Sequence, residues 1–117
     1  MFIVALFKNS DGDYYVHYEK DNLQISSNEL DYAKTLGYKL VHCLITTDRT
    51  TALNTRLKFR IKELKSLKPD VDYLGYDECL INQIGLLTSR LLRLGVDVTD
   101  EIALQCYDIK QQKMTMV

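Results

Sequence analysis

The sequence predicts an α+β domain: a small, mainly antiparallel sheet that opens with a β-hairpin, with helices packed on it. Three observations carry this expectation. Two strand-forming runs, FIVALF (2–7) and YYVHYEK (14–20), flank the turn segment NSDGD (9–13). Apolar residues recur at helical spacing later in the chain, most plainly Leu80, Ile84, Leu87, Leu91 and Leu94. The signals run in the order β-β-α-β-α, followed by one or two further helices or a helix and a strand. A length of 117 residues makes this a single domain over 1–117.

Each element has its local reason. FIVALF is apolar on both faces, which predicts an interior strand covered on both sides. Asp11-Gly12 supplies the positive φ of a tight hairpin, and in the following strand Tyr14, Val16 and Tyr18 share one face while Tyr15, His17 and Glu19 share the other. SSNELDYAKTLG (26–37) begins with Ser26 and Glu29 at capping-box spacing and ends on Gly37, a residue suited to the left-handed closing position. YKLVHCLIT (38–46) reads as the third strand. Asp48 or Thr47 caps a helix over about 49–67, which Pro69 prevents from continuing. VDYLGY (71–76) reads equally as a short strand or a loop. ECLINQIGLLTSRLLRLG (78–95) is a helix that Asp77 can cap and Gly95 can close. Thr99, Asp100 and Glu101 resemble a helix start, and Ile102, Cys106 and Ile109 keep helical spacing. A strand over 102–107 fits those residues as well, and KMTMV reads as a final strand or a frayed end.

Composition narrows the setting. No apolar run reaches the roughly eighteen residues of a membrane span. MFIVALFKNS lacks a basic leader region and a small-residue cleavage site, so the expectation is a soluble, cytoplasmic protein. Cys43, Cys79 and Cys106 are odd in number, far apart and without a CxxC, which predicts reduced thiols buried as small hydrophobes. Eight tyrosines and no tryptophan point weakly to a binding surface.

The most unusual stretch is RTTALNTRLKFRIKELKSLK (49–68), with seven basic residues and one acidic residue in a chain of net charge −1. Residues 1–48 carry 4 basic and 7 acidic groups, and residues 69–117 carry 4 and 8. On a helix, Leu53, Leu57, Ile61 and Leu64 form one stripe. Arg49, Arg56 and Arg60 border it on one side, and Lys58, Lys62 and Lys65 on the other. Phe59 points nearly opposite the stripe, so it packs on another element or marks a contact surface. A solvated helix mixes signs to gain i,i+4 pairs, and this one hardly does. Its cations therefore face the acidic C-terminal part of the fold, an acidic protein, or nucleic acid.

No catalytic constellation, cofactor motif or metal-ligand spacing is legible. His17 and His42 could approach one another if the second and third strands were neighbours, but His42 and Cys43 point to opposite faces of a strand. Gly85 is unusual inside a helix, where glycine costs about 1 kcal/mol relative to alanine. With Ile81, Thr88 and Leu92 it widens the apolar arc of its helix, which predicts a helix packed on two sides or a homodimer interface.

Over residues 1–65, a hairpin with tyrosines on its second strand followed by helix, strand and helix is similar to the GIY-YIG nuclease domain. The resemblance implies hairpin tyrosines, an arginine of the first helix and a glutamate of a later helix acting around a metal ion. YYV (14–16) stands at the second tyrosine motif, and Glu63 lies on a later helix, so the implied nuclease residues are Tyr14, Tyr15 and Glu63. The chain departs from the pattern in the FIV run, which has no tyrosine, and in having no arginine before Arg49.

The leading expectation is a non-enzymatic binding or regulatory protein acting through protein contacts, such as a phage- or virus-encoded inhibitor of a host system. The alternatives are a nucleic-acid binder using Arg49, Arg56, Lys58, Phe59, Arg60, Lys62 and Lys65, and a degenerate GIY-YIG-like relative. No cofactor and no membrane partner is expected.

Overall fold

The computed structural model describes residues 1–67 and 74–115, with the backbone alone over 74–77 and 114–115. Three strands, β1 (Phe2–Lys8), β2 (Tyr14–Lys20) and β3 (Lys39–Thr46), form an antiparallel sheet in the order β2-β1-β3. Four helices complete it: α1 (Ser27–Thr35), α2 (Arg49–Ser66), α3 (Leu74–Arg93) and α4 (Thr99–Thr115). The α+β class and the element order are those the sequence predicts.

β1 is the central strand, and Ile3 to Phe7 are all buried, as its two apolar faces require. The hairpin loop is organised by Asn9, whose Oδ1 accepts from the backbone N–H groups of Asp11 and Asp13, while Gly12 takes the left-handed conformation. β2 pairs along the whole of β1, from Phe2 opposite Lys20 to Lys8 opposite Tyr14. β3 pairs on the other side with an irregularity between Leu6 and Phe7.

The two faces of the sheet carry different helices. Ile3, Ala5 and Phe7 pack with Ile25 and Ala33 on the α1 side, and Tyr15 and Tyr38 join them. The opposite face lies under α2, where Arg56 covers the Tyr18 ring and Phe59 stacks on His42. The other side of α2 packs on the remaining helices: Leu53, Leu57, Ile61 and Leu64 meet Leu80, Ile84, Leu87 and Leu91 of α3 and Ile102 and Ile109 of α4. α2 is therefore the middle layer, and Phe59 does pack on another element.

Several local details differ from expectation. Ser26 makes no side-chain cap, and the Glu29 carboxylate instead accepts from the Tyr15 hydroxyl at 3.3 Å. The capping box fails because its glutamate is drawn to the sheet. Asp48 does cap α2, accepting from the Thr50 N–H at 3.2 Å, and Gly37 and Gly95 close α1 and α3 with positive φ. α3 starts at Leu74, a turn before the expected start, so Asp77 lies inside the helix and is not its cap. The 71–73 part of VDYLGY and the Pro69 stop lie outside the described residues. Residues 99–115 are helical, which resolves the helix-or-strand alternative of the tail. Leu94 falls past the end of α3 and is exposed. The thiols are not a buried set: Cys43 and Cys79 are exposed and Cys106 is half-buried. For Cys43 the reason is that β3 is an edge strand.

Candidate anion-binding recess

The turn of α2 splits its cations into two groups. Lys58, Lys62 and Lys65 fall on the exposed side, away from both packed faces. The arginines fall on the side where α2 passes from the sheet to α3. There Phe2 and Tyr18 of the sheet, Arg49, Ala52, Leu53 and Arg56 of α2, and Arg90 of α3 line one recess of about 130 Å³.

Each wall has a structural origin. Phe2, Val4 and Leu6 alternate toward α2, as do Val16 and Tyr18 on β2, and the Phe2 and Tyr18 rings stack with centroids 6.3 Å apart. The Arg56 guanidinium lies over the Tyr18 ring, its carbon 4.1 Å from the centroid. Such a contact is worth about 0.5–2 kcal/mol depending on desolvation. Arg49 is the first residue of α2, and Arg90 lies in the last turn of α3. Burial lowers the Arg56 pKa, the Tyr18 hydroxyl opposes that, and the Arg90 and Arg60 cations lower it further. Positive charge is thus crowded and partly dehydrated at this place.

Nothing in the described chain neutralises it. Within α2, Arg60 Nη1 pairs with Glu63 Oε2 at 2.8 Å. Arg49, Arg56 and Arg90 have no carboxylate partner there. α2 meets α3 and α4 through aliphatic side chains, so the expectation that its cations answer the acidic C-terminal half finds no ion pair among the described residues.

Of the residues expected to bind, the fold brings Arg49 and Arg56 together. Arg60 is engaged with Glu63, Phe59 is against His42, and the three lysines belong to a separate face. Sequence reasoning missed Arg90, Phe2 and Tyr18. The packing that brings Arg90 of α3 and Phe2 of β1 to one recess leaves no mark in local spacing. The dimer residues also separate: Thr88 is buried with its hydroxyl bonded to the Ile84 carbonyl, Ile81 is half-buried against the core, and Gly85 and Leu92 are exposed.

The residues named by the nuclease resemblance are not gathered. Tyr14 faces α2, and its N–H donates to Ser66 Oγ at 3.3 Å. Tyr15 faces α1, stacked on Phe7, and burial with the nearby Glu29 raises its pKa. Glu63 is 1% exposed, and its carboxylate pairs with Arg60. His17 and His42 sit on opposite faces of the sheet, with β1 between their strands. His17 instead lies between Glu29 and Glu19, at 3.4 and 3.6 Å, and links α1 to β2. Among the described residues no three metal-ligating side chains converge, and no helix is long and apolar enough to cross a membrane.

No family model, curated protein or solved structure matches this chain.

Proposed function

We propose that the protein binds nucleic acid through its arginine recess. The observation that carries this reading is the convergence of Arg49, Arg56 and Arg90 without a carboxylate partner among the described residues. Guanidinium forks match phosphate oxygens in a bidentate geometry, and a partly dehydrated fork loses less on binding than a freely hydrated one. The Phe2 ring beside the cations adds aromatic surface for a base, while the Tyr18 ring already carries Arg56. Lys58, Lys62 and Lys65 widen the positive field but lie on another side of α2.

Fluorescence anisotropy with labelled DNA and RNA strands tests this, read at about 50 and 200 mM salt, where phosphate-driven binding weakens steeply. The expected result is salt-sensitive binding that Arg49→Gln with Arg90→Gln reduces by roughly tenfold or more, the scale of losing a good charged contact. Equal binding by the wild type and this double variant would reject the reading. Arg60 is unsuited to the test, because its loss strips the buried Glu63 of a partner.

A second reading has its own observation. β3 is an edge strand, and its Leu40, Val41 and Ile45 are 42%, 42% and 45% exposed. An extended segment of a partner protein adding to that edge would gain backbone hydrogen bonds and cover those side chains, which is one way a small regulatory or inhibitory protein engages its target.

A further inference from the structure

We infer that the recess is a phosphomonoester site, made for the terminal phosphate of a nucleic-acid strand or of a nucleotide. The inference rests on the recess that carries the nucleic-acid reading and narrows its ligand.

Charge is the first argument. Three guanidiniums line the recess, and among the described residues none has an acidic partner. A phosphodiester within a strand brings a single negative charge and two free oxygens. A phosphomonoester brings about −1.5 to −2 at neutral pH and three acceptor oxygens. The second ligand balances the cluster more nearly and gives each fork an oxygen of its own.

Size is the second argument. A cavity of about 130 Å³ is close to the ~150 Å³ that holds a benzene-sized guest. A recess of that size has room for one phosphate group and leaves the attached nucleoside at the rim, beside Phe2. A concave seat of this kind favours a chain end, because an internal phosphate must bring two continuing strands to the rim.

The third argument is the state of Arg56. It is partly buried, it rests on the Tyr18 ring, and the like charges of Arg90 and Arg60 lie near it. The ring fixes the guanidinium plane before any ligand arrives, so little side-chain freedom remains to be lost on binding.

The test compares one labelled single strand with a 5′-phosphate, a 3′-phosphate or hydroxyl ends, with adenosine monophosphate as competitor. The expected result is that a terminal phosphate tightens binding by about tenfold or more, the factor equivalent to 1.4 kcal/mol. That advantage falls to less than about twofold in Arg56→Gln and in Arg90→Gln, while Lys62→Gln weakens all strands equally. Arg90 is exposed, so its variant remains informative if Arg56→Gln folds poorly; thermal melts monitor both. Displacement by equimolar nucleotide identifies a mononucleotide ligand, and resistance to displacement identifies a strand end; both outcomes support the site. Salt-sensitive binding that is the same for phosphate and hydroxyl ends overturns the inference and leaves the nucleic-acid reading standing. Binding of the mononucleotide without the hydroxyl-ended strand does the reverse. No binding of any probe overturns both.

Discussion

Glu19 shows how one side chain makes stability depend on pH. Burial pushes its carboxyl pKa up, but hydrogen bonding from Ser26 and the neighbouring His17 outweigh burial and bring it below the ordinary 4.5. The Ser26 N–H donates to its Oε2 at 3.0 Å and so ties the start of α1 to β2. A carboxyl depressed in the folded state adds stability above its unfolded pKa and loses it as pH falls through the folded value. The urea midpoint should therefore fall between pH ~6 and pH ~3, and Glu19→Gln should be less stable at the upper end and lose less across the range. Asp48 and Asp97, lowered chiefly by hydrogen bonds from Thr51 and from Thr99, act in the same direction, so the variant flattens the profile without abolishing its slope. An unchanged slope in the variant would mean that Glu19 carries none of it.

At the scale of elements, α3 was the most legible part of the chain, and its glycine is the instructive exception. Leu80, Ile84, Leu87 and Leu91 are buried as their spacing requires. A Cβ built on Gly85 meets nothing within 4 Å among the described residues, so no close approach within the chain explains it. Gly85→Ala should stabilise the protein by about 0.5–1 kcal/mol in a denaturant titration, since alanine loses less freedom in a helix. If self-association, followed by sedimentation, weakens while stability rises, the glycine serves a second copy at that face; if it stays the same, the homodimer reading of Ile81, Gly85, Thr88 and Leu92 fails. α2 was half legible. Its leucine stripe was plain, but its second packed face consists of Ala52, Arg56, Phe59 and Glu63, which are not a hydrophobic pattern. Phe59 was the one residue that signalled the second face. Edge position was hidden as well. KLVHCLIT reads as a strand and its Cys43 as a buried thiol, yet Val41 and Cys43 are exposed because strand order is a property of the whole sheet. For the same reason His17 and His42, both in strands, could not be assigned to faces before the order β2-β1-β3 was known.

Across the whole molecule, the apolar residues form two separate clusters, one between the sheet and α1 and one among α2, α3 and α4. The arginine recess sits on the seam between sheet and helices, which explains why two of its three arginines were visible in the sequence and the third was not. A helix spacing predicts neighbours three and four residues apart, while Arg56 and Arg90 are brought together only when α3 docks. The middle position of α2 has a further consequence, for cooperativity. α2 covers one face of the sheet with one side and packs on α3 and α4 with the other, so the sheet and the helical cluster cannot part without uncovering one side of this helix. Native-state hydrogen exchange should find the amides from Leu53 to Leu64 among the slowest, opening with a free energy close to that of global unfolding. If they exchange well before those of β1, the two halves come apart independently. If they do not, a cut inside α2 should cost the molecule its helical core and the cover of one sheet face at once, and the ligand seat with them.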